Sequence, residues 1–285
     1  VTHSVKLIHE FDDTLSGYIS HSTGFKAIST NLGANATVYA GLPMDPSIYF
    51  ANPEEAENFE VGFKKTFSNG YLNMSFFHMA VEGYQSNLFI GTGFNLVNIG
   101  EQTNKGVEID SLFFLNENFV VTFAASYIDA TYNDFKNGPC DRTFVPPASD
   151  DCPIVNGGPA RVKDFTGRTP SGVSELAITV SGTYTFNLTE NMTGYIRGEY
   201  VYEDEYQATD AVPVEVPGAI RKVGTLNASL GVKDSASGFS LMLWGRNIND
   251  DEFIYTGFNV PGSPGSYAGY PVVPKMWGLT LSREF

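Results

Sequence analysis

From residue 174 to 186 the chain alternates in kind. Leu176, Ile178, Val180, Tyr184 and Phe186 share one parity, and Glu175, Ala177, Thr179, Ser181 and Thr183 share the other. Successive side chains of a strand point to opposite faces, so a period of two marks a strand with one apolar and one polar face. The same alternation sets Leu226, Ala228, Leu230 and Val232 against Thr225, Asn227, Ser229 and Gly231. It sets Phe119, Val121, Phe123 and Tyr127 against Thr122, Ala124 and Ser126, and Phe59, Val61 and Phe63 against Glu60, Gly62 and Lys64. It weakens over 71–84, where Phe77, Met79 and Val81 occupy the parity that should be polar. The pattern predicts eleven strands, at about 3–10, 14–24, 57–67, 71–85, 95–115, 119–132, 172–186, 192–206, 222–233, 238–247 and 276–285.

The connections alternate in length. Short turns fall at "FDDT" (11–14), "SNG" (68–70), "NEN" (116–118), "NLTEN" (187–191) and "DSASG" (234–238), and long polar connections at 25–56, 86–94, 133–171, 207–221 and 248–275. A soluble sandwich has no reason to sort its loops this way. An outer-membrane barrel does, with short periplasmic turns and long extracellular loops. Several strands also exceed the five or six residues usual in globular sheets. The expected fold is therefore all-β, an antiparallel transmembrane β-barrel portion. Leu176, Ile178, Val180, Leu226, Leu230, Phe239, Leu241, Leu279 and Leu281 should face lipid, and Glu175, Thr179, Thr183, Asn227 and Ser229 a wet lumen. Tyr127, Tyr132, Tyr184, Phe186, Tyr200, Tyr202 and Tyr206 lie toward strand ends, as interfacial girdles would. The alternative is a secreted β-sandwich ligand-binding module with one buried face per sheet.

An odd strand count makes the first and last strands run in the same direction. Closing the ring would need a parallel seam that nothing in the sequence prepares. The expectation is an open curved sheet with two unpaired edges and an upstream part missing, since complete bacterial barrels have even strand numbers.

Composition agrees. Charged residues make up 17% and aromatics 14%, with 22 Phe, 15 Tyr and 29 Gly. No apolar run is long enough for a transmembrane helix. The net charge of −15 argues against nucleic acid as a partner. The two cysteines, Cys140 and Cys152, lie in one polar loop. A disulfide between them would imply an oxidising compartment and contribute on the order of 3 kcal/mol in the loop-entropy picture. Two free thiols are the other reading. His3, His9, His21 and His78 are scattered away from the cysteines, which disfavours a zinc site.

Several stretches resemble the TonB-dependent outer-membrane receptors. "NIGEQTNKGVEID" (98–110) resembles their Asn-x-Gly-x-x-x-x-x-Gly-Val-Glu segment, and "LWGRNINDDEF" (243–253) their penultimate strand. "STGFKA" (22–27) and "NFEVGFKKTF" (58–67) resemble two earlier strands, and "MWGLTLSREF" (276–285) the last, closed by a terminal Phe. The set follows the family's order over nearly the whole chain, residues 1–285. The resemblance implies the C-terminal half of a 22-stranded barrel, set in outer-membrane lipid of a Gram-negative bacterium. It makes Trp277, Leu279, Leu281 and Phe285 the strand read by the barrel-assembly machinery, with Arg283 where an apolar residue is more usual. It implies active transport of a scarce nutrient, such as the iron chelate of a ferric siderophore. TonB would be engaged only through an N-terminal plug that this chain lacks. No cofactor is implied.

No catalytic constellation is present: no Gly-x-Ser-x-Gly, no His-Glu-x-x-His and no phosphate loop. A barrel hydrolase would lack a Ser/His/Asp set, so no enzyme is expected. The acidic runs "NPEEAE", "EDE" and "NDDE" lack EF-hand spacing and read as solvated loop charge. In the loop 133–171, Arg142, Arg161, Lys163 and Arg168 could meet an anionic ligand, or pair with Asp141, Asp150, Asp151 and Asp164. Tyr39, Tyr49, Tyr255, Phe258, Tyr267 and Tyr270, on other long loops, could stack on a ligand or pack the loops together.

Overall fold

The structure is a computed structural model. It describes residues 1–30, 49–90, 93–136, 138–139, 162–210, 212–260, 263 and 265–284. Eleven strands form one antiparallel sheet in chain order. They are β1 (Ser4–Asp12), β2 (Leu15–Lys26), β3 (Glu54–Phe67), β4 (Gly70–Glu82), β5 (Glu101–Asn116), β6 (Phe119–Asp134), β7 (Leu176–Asn187), β8 (Met192–Gln207), β9 (Ile220–Asp234), β10 (Phe239–Arg246) and β11 (Met276–Arg283). Each expected strand is found. The expected 95–115 strand is divided at Ile99–Gly100: its first part, Gly93–Asn98, pairs with Gln85–Ile90 in a separate ribbon. Three further two-stranded ribbons stand on the long connections: Ser29–Thr30 with Phe50–Ala51, Gly138–Pro139 with Val162–Lys163, and Ile254–Asn259 with Tyr267–Pro271.

The register carries one face across the whole sheet. Val5 stands opposite His21, Leu7 opposite Ile19, Ile19 opposite Val61, Val61 opposite Phe76 and Phe76 opposite Val107. On the other half, Ala125 faces Ile178, Ile178 faces Tyr202, Tyr200 faces Leu226, Leu230 faces Leu243 and Leu243 faces Leu279. The residues between them form the opposite, polar face. There Thr122 and Ser181 share a hydrogen bond of 2.6 Å, Asn73 donates to Asp110 at 3.1 Å, and Arg197 donates to Glu199 at 2.8 Å. The expected leucines, isoleucine and valine lie on the apolar side, and Thr179, Thr183, Asn227 and Ser229 on the other. Phe77, Met79 and Val81 do fall on the polar face, opposite Gly106, Asn104 and Gln102.

No second layer covers the apolar face among the described residues. Leu7, Leu279 and Leu281 are 71%, 67% and 67% exposed. A sandwich would bury that face, so the sandwich alternative does not describe this chain. Among the described residues β1 and β11 have no strand partner on their outer sides, which agrees with the expected open sheet. Arg283 falls on the apolar parity at the turn end, with its guanidinium 4.9 Å from the Phe239 ring. The cation caps an aromatic there and does not interrupt the apolar band.

Many glycines are explained by the rings opposite them. On the polar face Tyr18 pairs with Gly62, Tyr195 with Gly231 and Trp244 with Gly278. On the apolar face Phe186 pairs with Gly194 and Trp277 with Gly245. In each pair the ring lies over the glycine, where a Cβ would collide with it. An aromatic side chain can thus lie flat along the sheet and shield the bare backbone across the ladder.

Candidate functional site

The long connections all leave the same end of the sheet, and side chains knit that rim together. Among the described residues the largest fully buried side chain is Ile99, within the "NIG" segment. It packs in a small core with Tyr132, Phe135 and Phe165, in which Tyr132–Phe135 and Phe135–Phe165 are edge-to-face. Tyr132 therefore corrects the girdle reading: it sits on the polar-face parity and is 5% exposed. Asn98 donates to the carbonyls of Gly83 and Asn52 and accepts from the Asn52 amide at 2.7 Å. Gln85, also buried, donates to the carbonyls of Ala27 and Asn52, accepts from Ser29, and its amide donates to Glu54. Two amide side chains thus tie the β2–β3 and β4–β5 connections to each other.

At the far side, β10 ends at Arg246 while β9 continues toward Ile220. The run "RNINDDEF" covers the β9 edge that β10 leaves bare. Ile248 donates to the Leu226 carbonyl, Leu226 donates to the Asn249 side chain at 2.8 Å, and Gly224 donates to Asp251 Oδ2 at 2.7 Å. Side-chain oxygens here replace strand carbonyls. Asn247, 4% exposed with φ of 49°, bonds to both the amide and carbonyl of Asp251 and reaches the Val273 carbonyl. It clamps the two ends of the 248–275 loop. Asp250 closes the clamp on Lys275, and that hydrogen bond holds its carboxyl below the usual range.

Beside this edge stands Arg221. Its side chain is 15% exposed and pairs with Glu203 at 3.0 Å. Its guanidinium lies 4.8 Å from the Tyr255 ring, 5.0 Å from Phe253 and 5.4 Å from Tyr206. Tyr255 is 59% exposed, so this caged cation presents an open aromatic ring at the rim. The ribbon beyond it carries Phe258 and Tyr270, with ring centroids 5.7 Å apart.

The loop residues expected to bind ligand divide into three groups. Tyr39, Arg142 and Arg161 lie outside the described residues, as do Cys140, Cys152 and the terminal Phe285. Lys163 is half-buried in its ribbon, and Tyr49 and Tyr267 are half-buried at ribbon starts. Arg168 is exposed, with its guanidinium 4.7 Å from the Phe165 ring, while its carbonyl accepts from the Tyr132 amide. Its charge also bears on Asp210, which accepts from Ser171 at 3.0 Å. Burial pushes the Asp210 carboxyl above its ordinary value, against the pull of Ser171 and Arg168. Asp164 instead accepts from Thr166, which holds its carboxyl low. Arg168 and Tyr255 thus hold defined places, on the β6–β7 and β10–β11 connections respectively. Sequence reasoning missed Arg221, Gln85 and Asn247. The motif around Asn247 stood out only by resemblance, and Arg221 and Gln85 carry no local signal.

The family described as TonB dependent receptor-like, beta-barrel matches residues 1–248. The chain belongs to the TonB-dependent receptor family. Among solved structures it is similar to the ferric yersiniabactin uptake receptor FyuA of Yersinia pestis, at 14% identity and a TM-score of 0.69. That match covers 99% of this chain and 37% of FyuA. The siderophore receptor PiuA of Acinetobacter baumannii is 15% identical with a TM-score of 0.63, over 98% of this chain and 35% of that one. The copper transporter OprC is 9% identical with a TM-score of 0.62, over 99% and 39%. A search of curated proteins finds no match. The chain therefore spans little more than a third of the length of these receptors, as a half barrel would. The TonB-dependent family is one of transport receptors rather than enzymes. Its likeness to a copper transporter and to siderophore receptors alike speaks for the fold and leaves the cargo open.

Proposed function

We propose that the chain is the C-terminal portion of an outer-membrane active-transport receptor for a scarce nutrient such as a ferric siderophore, coupled to TonB through a plug supplied from outside residues 1–285. One observation carries this: an eleven-stranded sheet has a continuous apolar face, a polar face, tight turns at one end and knitted loops at the other. That division suits lipid on one side, a wet lumen on the other and ligand capture at the rim. Trp277, Leu279 and Leu281 expose an apolar last strand for recognition by the assembly machinery.

The rim offers rings more readily than free cations. Lys222 pairs with Glu205, Lys275 with Asp250, Lys136 with Asp134 and Arg221 with Glu203. An anionic chelate would therefore engage Arg168, Lys163 and the loop arginines Arg142 and Arg161, with Tyr255 stacking beside it. The test has two parts. The protein should require detergent to stay dispersed, and a ferric catecholate should quench its fluorescence in a manner weakened by Tyr255→Ala. A protein fully soluble in plain buffer would defeat the membrane reading. Equal quenching in Tyr255→Ala would remove Tyr255 from the ligand site.

A further inference from the structure

On the first strands the apolar row ends at a pair of histidines. His3 and His21 are 18 positions apart, and the β1–β2 ladder sets them diagonally across from each other. The Thr23 amide donates to the His3 carbonyl at 2.9 Å, and His21 stands opposite Val5 on one side and Phe59 on the other. Both rings therefore lie on the apolar parity. They sit at the level where Phe63, Val61 and Phe59 of β3 give way to Glu57 and Glu55. This is the outward face near the loop end, turned away from the polar face of the sheet. His3 is exposed and the His21 side chain is 36% exposed, so a small ion can reach both.

The ring nitrogens divide into an inner and an outer set. His3 Nε2 and His21 Nδ1 face each other at 3.2 Å, with ring centroids 5.1 Å apart and planes tilted by 45°. Each outer nitrogen already has a partner. Glu57 Oε1 lies 2.7 Å from His21 Nε2, and Thr23 Oγ1 lies 3.2 Å from His3 Nδ1 while accepting from the His3 amide. A proton on His21 Nε2, donated to Glu57, leaves His21 Nδ1 with a lone pair. If the His3 proton moves from Nε2 to Nδ1, where Thr23 Oγ1 accepts it, the second inner nitrogen has a lone pair too. No proton is gained or lost. A carboxylate or hydroxyl on the far nitrogen is the arrangement that fixes tautomer and orientation in a metal-ligating histidine. Two imidazole nitrogens on one tetrahedral Zn²⁺, at Zn–N of about 2.0–2.1 Å, stand roughly 3.3–3.4 Å apart, close to the spacing seen here.

We propose that His3 and His21 form a two-histidine site for a borderline divalent cation, Zn²⁺ by its spacing, with water completing the shell and Glu57 and Thr23 orienting the rings. Among the described residues no three His, Cys, Asp or Glu side chains converge, so the ion has two protein ligands rather than a closed cage. Imidazole suits such ions, whereas Ca²⁺ and Mg²⁺ take oxygen ligands. The bound ion staples the outer end of β1 to β2 and, through Glu57, to β3. The site rests on the strand register alone and goes beyond the transport reading, because it faces away from the lumen.

The protein, purified in detergent and stripped with a chelator, is titrated with zinc chloride by calorimetry, with and without excess Ca²⁺ to occupy carboxylates. One saturable Zn²⁺ per chain is expected in both conditions. His3→Ala and His21→Ala should each abolish it, with the sheet intact by circular dichroism. His78→Ala, opposite Phe59 on β4, should leave it unchanged. Glu57→Gln should weaken binding roughly tenfold, the usual cost of losing the outer partner of a ligating histidine. The absence of a saturable site, or undiminished binding in His21→Ala, would overturn the proposal. Loss in His78→Ala as well would overturn the two-histidine assignment, and displacement by Ca²⁺ would overturn imidazole ligation. Equal affinity in Glu57→Gln would remove Glu57 from its orienting role.

Discussion

The two ends of the sheet differ in how their connections are closed. At the turn end local bonds close each turn, and longer contacts such as Asn69 to Phe114 and Lys233 to Glu284 only join one turn to the next strand or turn. Asp12 accepts from the amide and hydroxyl of Thr14, Asn116 accepts from the Asn118 amide, and Asp234 accepts from the Ala236 amide and the Ser237 hydroxyl. These are Asx-type turns, complete within four residues. At the loop end the partners are far apart in sequence. Gln85 reaches Ala27 across 58 positions, Asn98 reaches Asn52 across 46, and Asp251 meets Gly224 across 27. One end sets register with turn chemistry. The other assembles only when the sheet has already brought distant segments together.

Substitutions should separate the two. Asn247→Ala should have the largest effect, because it removes three part-buried hydrogen bonds to Asp251 and Val273 and forces a left-handed φ on alanine. A loss of about 3 kcal/mol is expected in denaturant unfolding in detergent. Asn247→Gly, which relieves only the backbone, should recover a minor part; full recovery would break the clamp account. Leu230→Arg, midway between the ends, should cost roughly 2–4 kcal/mol if Leu230 faces lipid. Gln85→Ala should cost on the order of 2 kcal/mol and loosen residues 27–29 and 52–54, read as faster hydrogen exchange there. Asn116→Ala, at a turn, should cost only about 0.5–1 kcal/mol and leave the loop end unchanged. A larger loss there would erase the contrast between local and distant bonding.

Acidity offers a further probe of the loop end. Asp210 has a raised carboxyl pKa in the folded state, so the folded state holds its proton more tightly than the unfolded chain. Because burial of the charged form is what raises that pKa, the folded segment around Asp210 should be most stable at low pH. It should lose stability as pH rises from the ordinary carboxyl value through the raised one, although the Ser171 bond itself favours the ionised form. Hydrogen exchange at 166–172, corrected for intrinsic rate, should accelerate across that window. Asp210→Asn should flatten the profile; an unchanged slope would assign it to another group.

This difference also sets what could be read in advance. All eleven strands, both faces and the sorting of turns follow from period-two alternation and from turn residues adjacent in sequence, and all were legible. Tyr132 was not, because its parity and place near a strand end match those of a girdle tyrosine. Only Ile99, Phe135 and Phe165, folded back over it, make it core. Arg221 reads as one more strand cation until Phe253 and Tyr255 arrive from a loop more than thirty positions on. The proposed site lies at the end built from distant contacts, so its residues were named by type and not by arrangement. The pairing of Cys140 with Cys152 remains a matter for thiol labelling of the unreduced, denatured protein, where two free thiols would refute it.

The order of strands in the sheet is the order of strands in the chain. Every ladder therefore joins neighbours in sequence, and lengthening a connection moves no strand to a new partner. Doubling a flexible loop costs only about 0.6 kcal/mol of closure entropy. An insertion or exchange in a long connection thus leaves the wall's pairing intact and alters only what the mouth presents. In evolutionary terms the sheet behaves as a fixed frame with exchangeable loop cassettes, so sequence change can remodel the rim without refolding the wall.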